Sequence, residues 1–432
     1  KYPVKIKIEI EIVGRLTIVM KQRMRATEKQ KRQREYKDAS RYIVYLLRST
    51  LNQTELRKPP ENCTWETIWD LVERNYIAPL IGTYIQEYSD LVPEEIRSAG
   101  KAAYNENLYR QICFDIEREK IVKELEKQEL ACLMLKGVNI SAYYPKAGMR
   151  WMSDNDILCD YIQADESGGY RIKGETDEGI EYWKEKTCAG IQVAMEKCGF
   201  SLKGRSACHD AYIKQPMFKF EMHHQLFQKS FDEEKAIYYE NPWSRAIPDG
   251  QNPYRYYYSK EDEYIYFVTH AYKHFSRSGS GIRTLTDLYF YIKNDKSMDW
   301  NYISEQLKVL KLENFETLLR NTAVHAFSRQ GKMTTEEWNT VLYMIGSGIF
   351  GTSQNRIRNC MKTNGKNKVW HYIVDRVWLS DSVTEENFPF FYHHRFYRPF
   401  LPIYRFIRGI LTHPKKIWTE WIILFRMEKN ER

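Results

Sequence analysis

Three acidic side chains give this chain its first chemical reading. Asp154 and Asp156 flank Asn155 just before the apolar run Ile157-Leu158-Cys159, and Glu221 lies within Phe218-Lys-Phe-Glu-Met-His223. The apolar run has strand character, and side chains alternate along a strand, so the two aspartates point to one side. Two like charges held that close repel each other unless a cation sits between them. Magnesium takes oxygen ligands, usually one or two carboxylates with substrate phosphates, so a D-x-D on a strand can hold it. Glu221, in a second alternating segment, can supply the third carboxylate of a two-metal site.

These side chains need a scaffold on both sides. The run Leu130–Leu135 reads as a buried strand, and Lys136-Gly137 as a turn opening a short helix that ends before Pro145. Gly137 lets backbone N–H groups approach phosphate oxygens at the mouth of that helix. Arg150 precedes the aspartates and either binds phosphate or neutralises them. Asp160, at the end of the second strand, reads as a solvated residue. In the segment around Glu221, Lys219, Glu221 and His223 share one face, while Phe218, Phe220 and Met222 share the other. His223 and His224 lack a nearby Cys or third His, which makes zinc the weaker reading. His270 and His274 are spaced i, i+4 and face one way on a helix. They read as packing residues or hydrogen-bond partners of Asp287 in preference to a metal pair.

The order of the pieces is more specific than any one of them. A strand, a Lys-Gly turn, Arg150 and D-x-D-I-L are followed by E-x-H on a later strand. H-x-x-x-H and G-I-R-x-x-x-D-L then come in a helical region. This set resembles the uncharacterised nucleotidyltransferase family within the DNA polymerase β-like superfamily, over roughly 42–408. The resemblance implies an α+β fold, a small mixed sheet flanked by N-terminal and C-terminal helical regions. It implies a Mg²⁺-dependent enzyme that moves a nucleoside monophosphate from an NTP such as ATP to an acceptor, releasing pyrophosphate. Asp154, Asp156 and Glu221 would hold two Mg²⁺, with Glu221 as the third metal carboxylate or as the base for the attacking hydroxyl. Lys136, Gly137, Arg150 and Arg283 would contact the triphosphate. Lys219, His223, His270, His274 and Asp287 would stand around them. Two departures from the superfamily's general pattern are Lys136-Gly137, where Gly-Ser or Gly-Gly is usual, and Asn155, where an aliphatic residue is usual. The alternative is an inactive nucleotide-sensing or scaffold protein on the same fold. The acceptor (small molecule, protein or RNA) is not legible.

The 432 residues suggest two or three domains, and 43% hydrophobic content suffices for a sizeable core. They divide into 1–38, a basic extension; 39–128, helical; 129–245, the expected nucleotidyltransferase core; 246–348, helical; and 349–432, a basic aromatic tail. Residues 1–19 alternate charged and apolar residues and read as an extension, with Met20 or Met24 as a start; 20–37 read as a solvated basic lead-in. Eight scattered cysteines without C-x-x-C fit free thiols of a reducing, cytoplasmic setting. No run suits a membrane span and no signal-peptide pattern is present. A net charge of +9 permits anionic partners without demanding them. Thr64 caps one helix, Pro79 opens another and a third begins at Val92-Pro93. A long helix over 102–128 would carry Leu108, Ile112, Ile116 and Leu125 on one stripe. Residues 161–186 read as a loop, with a helix from Thr187 ending at Gly199. Residues 200–214 read as one strand and a turn, 243–258 as an aromatic connector, and 346–368 as a loop. Ser259 caps the helix bearing His270, and helices follow over 300–327 and 335–343. The tail reads as a helical hairpin folded back on the core, with peripheral membrane contact as the rival.

Overall fold

The computed structural model describes residues 28, 30–152, 155–166, 168–174, 176–363 and 369–431. Residues 1–27 and Asp154, on which several of the expectations above fall, lie outside the described residues. Nine strands are present among those described: β1 (Ala131–Leu135), β2 (Asn155–Asp160), β3 (Ile162–Ala164), β4 (Tyr170–Ile172), β5 (Ser201–Arg205), β6 (His209–Lys214), β7 (Phe218–His223), β8 (Ile247–Asp249) and β9 (Asn252–Tyr257). Seven form a mixed sheet in the order β5-β6-β7-β2-β1-β9-β8, and β3 with β4 form a separate hairpin. Helices precede, flank and follow the sheet, so the fold is α+β with a mixed sheet between helical regions.

The sheet is covered on both faces, which is why β1 reads as a continuous apolar run and β2 is buried along its whole length. One face packs Cys132, Ile157, Cys159, Phe220 and Met222 against Phe114, Ile121, Leu125, Ile191 and Met195 of two helices, Glu94–Lys127 and Asp177–Lys197. The other face turns Leu133, Leu135 and Leu158 into the larger core, which includes Tyr266 and Phe267 of the helix Lys260–Phe275 and Leu285 and Leu288 of Arg283–Asn294. Thr64, Ser259 and Gly199 (φ +80°) bound their helices as expected.

Several expectations need correction. One 34-residue helix, Glu94–Lys127, replaces the two segments expected there. Its buried side carries Asn107, Phe114, Ile121 and Leu125, whereas Ile112 and Ile116 are 50% and 52% exposed. Residues four apart rotate about 40° per step around a helix, so a string of such spacings leaves the buried face; sevens stay on it. The stretch 161–186 is the β3–β4 hairpin and the start of a helix at Asp177, where the Thr176 side chain accepts from Gly179 N–H. Residues 200–214 form two strands, β5 and β6, paired antiparallel. The aromatic connector is β8 and β9, with Pro253 near the start of β9, where a missing donor is tolerated. Ser353–Thr363 is a helix, started by the Thr352 hydroxyl accepting from Asn355 N–H.

In the tail, Leu401–Thr412 and Pro414–Glu431 pair as a hairpin. Ile357, Met361, Val369, Tyr372 and Leu424 form a cluster separate from the two cores. Among the described residues, no helix is long and apolar enough to cross a membrane.

Asp160 is a further correction: it is fully buried, and Trp243 Nε1 donates to its Oδ2 at 2.7 Å. Burial raises its carboxyl to about 8, and the indole donor offsets only part of that. The folded state therefore keeps a proton that the unfolded chain releases near pH 4. Between those limits the unfolded state binds fewer protons, so stability falls as pH rises. Chemical denaturation from pH 5 to 9 is expected to show a loss on the order of a few kcal/mol attributable to this group. Asp160→Asn, which accepts the same indole hydrogen bond without ionising, is expected to flatten that slope.

Candidate active site

The register of the central strands assembles the site. β2 and β7 are parallel, with Asp156 aligned with Glu221 and Leu158 with His223. β1 is antiparallel to β2 with Leu135 aligned with Asp156, so the turn that follows β1 lies beside the head of β2. Lys136 occupies that turn at φ +47°, a left-handed conformation uncommon for a residue with a side chain, and Gly137 begins the short helix Gly137–Ser141. Its ammonium lies 3.1 Å from Asp156 Oδ2 and 2.8 Å from His270 Nε2. An ammonium only donates, so that ring nitrogen accepts. On the other side of Asp156, His223 Nε2 is 3.3 Å from Oδ1. The same nitrogen is 3.9 Å from Glu221 Oε2. One imidazole therefore reaches both carboxylates.

Charge and burial shift Asp156, His270 and His209. Burial would raise the Asp156 carboxyl, but Lys136 and the His223 contact outweigh it and hold it well below the usual range. Burial, reinforced by Lys136, pushes His270 well below its ordinary value, consistent with a neutral acceptor. Burial and the neighbouring His223 lower His209 to about 4. Lys219 donates to Glu221 Oε1.

A second set of contacts holds the segment leading into the aspartates. Asn107, fully buried on the long helix, donates to the carbonyls of Gly148 (2.6 Å) and Arg150 (2.8 Å). Gln111 accepts from Gly148 N–H, and Arg110 donates to the Met152 carbonyl. Arg283 Nη1 donates to the Trp151 carbonyl at 3.0 Å. Arg150 forms a two-pronged pair with Asp287, Nε to Oδ1 at 2.8 Å and Nη2 to Oδ2 at 2.9 Å, and Tyr144 donates to Oδ1 at 2.7 Å. The guanidinium also lies against Gly137, where a Cβ would come within 3.0 Å of Nη1.

The structure thus gathers Lys136, Asp156, Glu221, His223 and His270, with Lys219 and His274 at their edges; His274 Nε2 is 3.2 Å from His270 Nε2. Asp154 lies outside the described residues. Asp287 receives Arg150 and Tyr144, so these take the place expected for the histidines. Arg150 pairs with Asp287 and Arg283 donates to the Trp151 carbonyl, so both engage protein groups. His209, Asn107, Gln111 and Tyr144 were not singled out from sequence. His209 faces His223 across β6 and β7, a pairing that only the hairpin register reveals.

Residues 61–328, more than half of the chain, match the sequence family described as "uncharacterised nucleotidyltransferase". No curated protein and no solved structure matches.

Removing one partner of a buried ion pair leaves the other charge uncompensated. Arg150→Met is expected to destabilise the fold by roughly 3–5 kcal/mol in urea denaturation. Arg150→Met combined with Asp287→Leu is expected to recover most of that loss.

Proposed function

This chain belongs to the uncharacterised nucleotidyltransferase family, and from that membership we propose that it transfers a nucleoside monophosphate from an NTP to an acceptor. The observation that carries the reading is the alignment of Asp156 with Glu221 beside the Lys136-Gly137 turn. The residues fit divalent cations: the Asp156 carboxyl is held ionised, and Glu221 shares its face of the sheet. Asp154, Asp156 and Glu221 would hold two Mg²⁺. When bound, these ions would neutralise phosphate charge and acidify an acceptor hydroxyl.

The chain's own residues then have distinct tasks. Lys136 brings a point charge to the triphosphate from a turn whose Gly137 admits close backbone approach. His270 accepts from Lys136 and limits where that ammonium can go. Arg150, Arg283 and Asn107 hold the approach to the aspartates in one conformation, so the reacting groups meet without a reorganisation cost. The acceptor oxygen bonds to the α-phosphorus, the bond to the β-phosphate oxygen breaks, and pyrophosphate leaves. The proton of an acceptor hydroxyl passes to Glu221 or, where Glu221 ligates a metal ion, to water. The cytoplasm, with its reducing pool, suits the eight unpaired cysteines.

We also propose that the tail rests on an anionic membrane surface. Phe396, Leu411, Trp418 and Phe425 are each at least 70% exposed. Between residues 388 and 425, six Arg or Lys accompany a single acidic residue, Glu420. Apolar and aromatic side chains among cations suit the headgroup region of acidic lipid. Co-flotation with phosphatidylserine vesicles, lost with phosphatidylcholine and weakened in Phe396→Ser/Trp418→Ser, is the expected result. Protein that stays unbound to both vesicles, or that dimerises through these residues instead, removes the membrane reading.

For the transfer reaction, Asp154→Asn/Asp156→Asn is expected to abolish Mg²⁺-dependent pyrophosphate release from NTPs while circular dichroism stays unchanged. Full activity in that variant would end the assignment. Wild-type protein that binds NTP in calorimetry yet releases no pyrophosphate, with labelled NTP and lysate as acceptor source, would point to a nucleotide sensor.

A further inference from the structure

Around Glu221 the site is richer in nitrogen than a magnesium centre requires. His209 and His223 are directly opposed on β6 and β7, with ring centroids 4.9 Å apart. His209 Nε2 lies 3.6 Å from Glu221 Oε2, and His223 Nε2 lies 3.9 Å from the same oxygen. One ligand atom from each of the three residues lies within 4.8 Å of the other two. We infer that His209, Glu221 and His223 form a binding site for a first-row transition-metal ion of the zinc class.

Orientation supports this beyond proximity. His223 Nδ1 faces the Gln225 carbonyl at 3.4 Å and Nε2 faces Asp156 Oδ1 at 3.3 Å, and both oxygens only accept. A neutral ring carries one hydrogen and can donate to only one of these acceptors, so the other ring nitrogen presents a lone pair to its oxygen. Lone pair facing carboxylate is unfavourable unless a proton or a metal ion stands between them. A backbone carbonyl behind the distal ring nitrogen is also the usual way a ligating histidine is oriented. Lys219 engages Oε1 of Glu221, which leaves Oε2 as the oxygen on the imidazole side.

Zinc bonds of about 2.0–2.1 Å in a tetrahedron put neighbouring ligand atoms roughly 3.3 Å apart. The 3.6 and 3.9 Å spacings to Glu221, with all three ligand atoms within 4.8 Å of one another, are wider than that, so closing on an ion takes side-chain rotation on the two paired strands. Magnesium prefers oxygen ligands, whereas imidazole suits zinc and its neighbours in the series. Three protein ligands leave a fourth position for water or a substrate oxygen. The His209 side chain, 27% exposed, marks the solvent side. The metal site stands by itself. Its consequence, that Glu221 ligates and does not act as the base, rests on the transfer reading above.

The test uses full-length protein freed of metal by chelation. Calorimetry is expected to show one Zn²⁺ per chain, bound at least about a hundredfold more tightly than Mg²⁺, with His209→Asn and His223→Asn each weakening Zn²⁺ by at least tenfold. Pulsed EPR of the Mn²⁺-loaded wild type is expected to show couplings to imidazole nitrogen, a readout that needs no variant to fold. Zn²⁺ bound no better than Mg²⁺, or Mn²⁺ without nitrogen couplings, overturns the inference. Metal binding and pyrophosphate release by the wild type separate the two readings. Zn²⁺ binding with no pyrophosphate release by wild type condemns the transfer reaction alone. Pyrophosphate release without the nitrogen-ligated ion condemns the metal site alone.

Discussion

A carboxylate sealed inside protein must either find positive partners or keep its proton. Asp156 and Asp160, on one face of β2 with Leu158 between them, take opposite courses. Asp156 faces Lys136 on one side and His223 on the other, so it stays charged. Asp160 has an indole donor and only the weaker pull of Lys184 against its burial, so at neutral pH it is mostly protonated. The difference comes from the neighbours. Asp156 lies beside the β1 turn, where a lysine in a left-handed conformation can reach it. Asp160 lies at the far end of the strand under Trp243, within the apolar core.

That contrast determines what the rest of the fold has to do. A charged Asp156 is useful only if the backbone leading into it holds still, and residues 148–152 belong to no regular element. Their carbonyls and N–H groups are taken up by Asn107, Arg110 and Gln111 from the helix before the sheet, and by Arg283 from a helix after it. The Arg150–Asp287 pair ties the same segment to the second of these helices. Two helical regions distant in sequence thus meet on one short stretch of chain. The cost of burying their polar groups is offset by making every one of those hydrogen bonds.

The parts legible in the sequence were those governed by local periodicity. The alternation in Phe218–His223 gives the correct faces, with Phe220 and Met222 in the core and Glu221 towards Asp156. The Lys136-Gly137 turn, the helix caps at Thr64 and Ser259, and the family itself were equally readable. What was not readable depended on pairing across distance. β9 looks like an aromatic connector until β1 lies parallel beside it. Nothing in His-Asp-Ala-Tyr-Ile-Lys announces that His209 will stand opposite His223, because a one-residue slip in the hairpin would turn it to the other face. Asn107 was missed for a related reason. Isoleucines spaced by fours drew the expected buried stripe away from it, although the sevenfold spacing of 107, 114 and 121 keeps to the buried side.

The same register argument explains why the chemistry lies where it does. Parallel pairing of β2 with β7 sets side chains of equal rank next to each other, so Asp156 beside Glu221 and Leu158 beside His223 follow from one alignment. Antiparallel pairing of β6 with β7 then carries that face outward to His209. A lysine, two carboxylates and two imidazoles are thereby lined up across four strands of one sheet, with His270 closing over Lys136 from a helix. Shifting β7 by one residue would send Glu221 and His223 into the apolar layer with Phe114 and replace them with Phe220 and Met222. The cost of burying those polar groups and exposing that apolar surface opposes the slip. The packing of one face therefore enforces the placement of every ionisable group on the other.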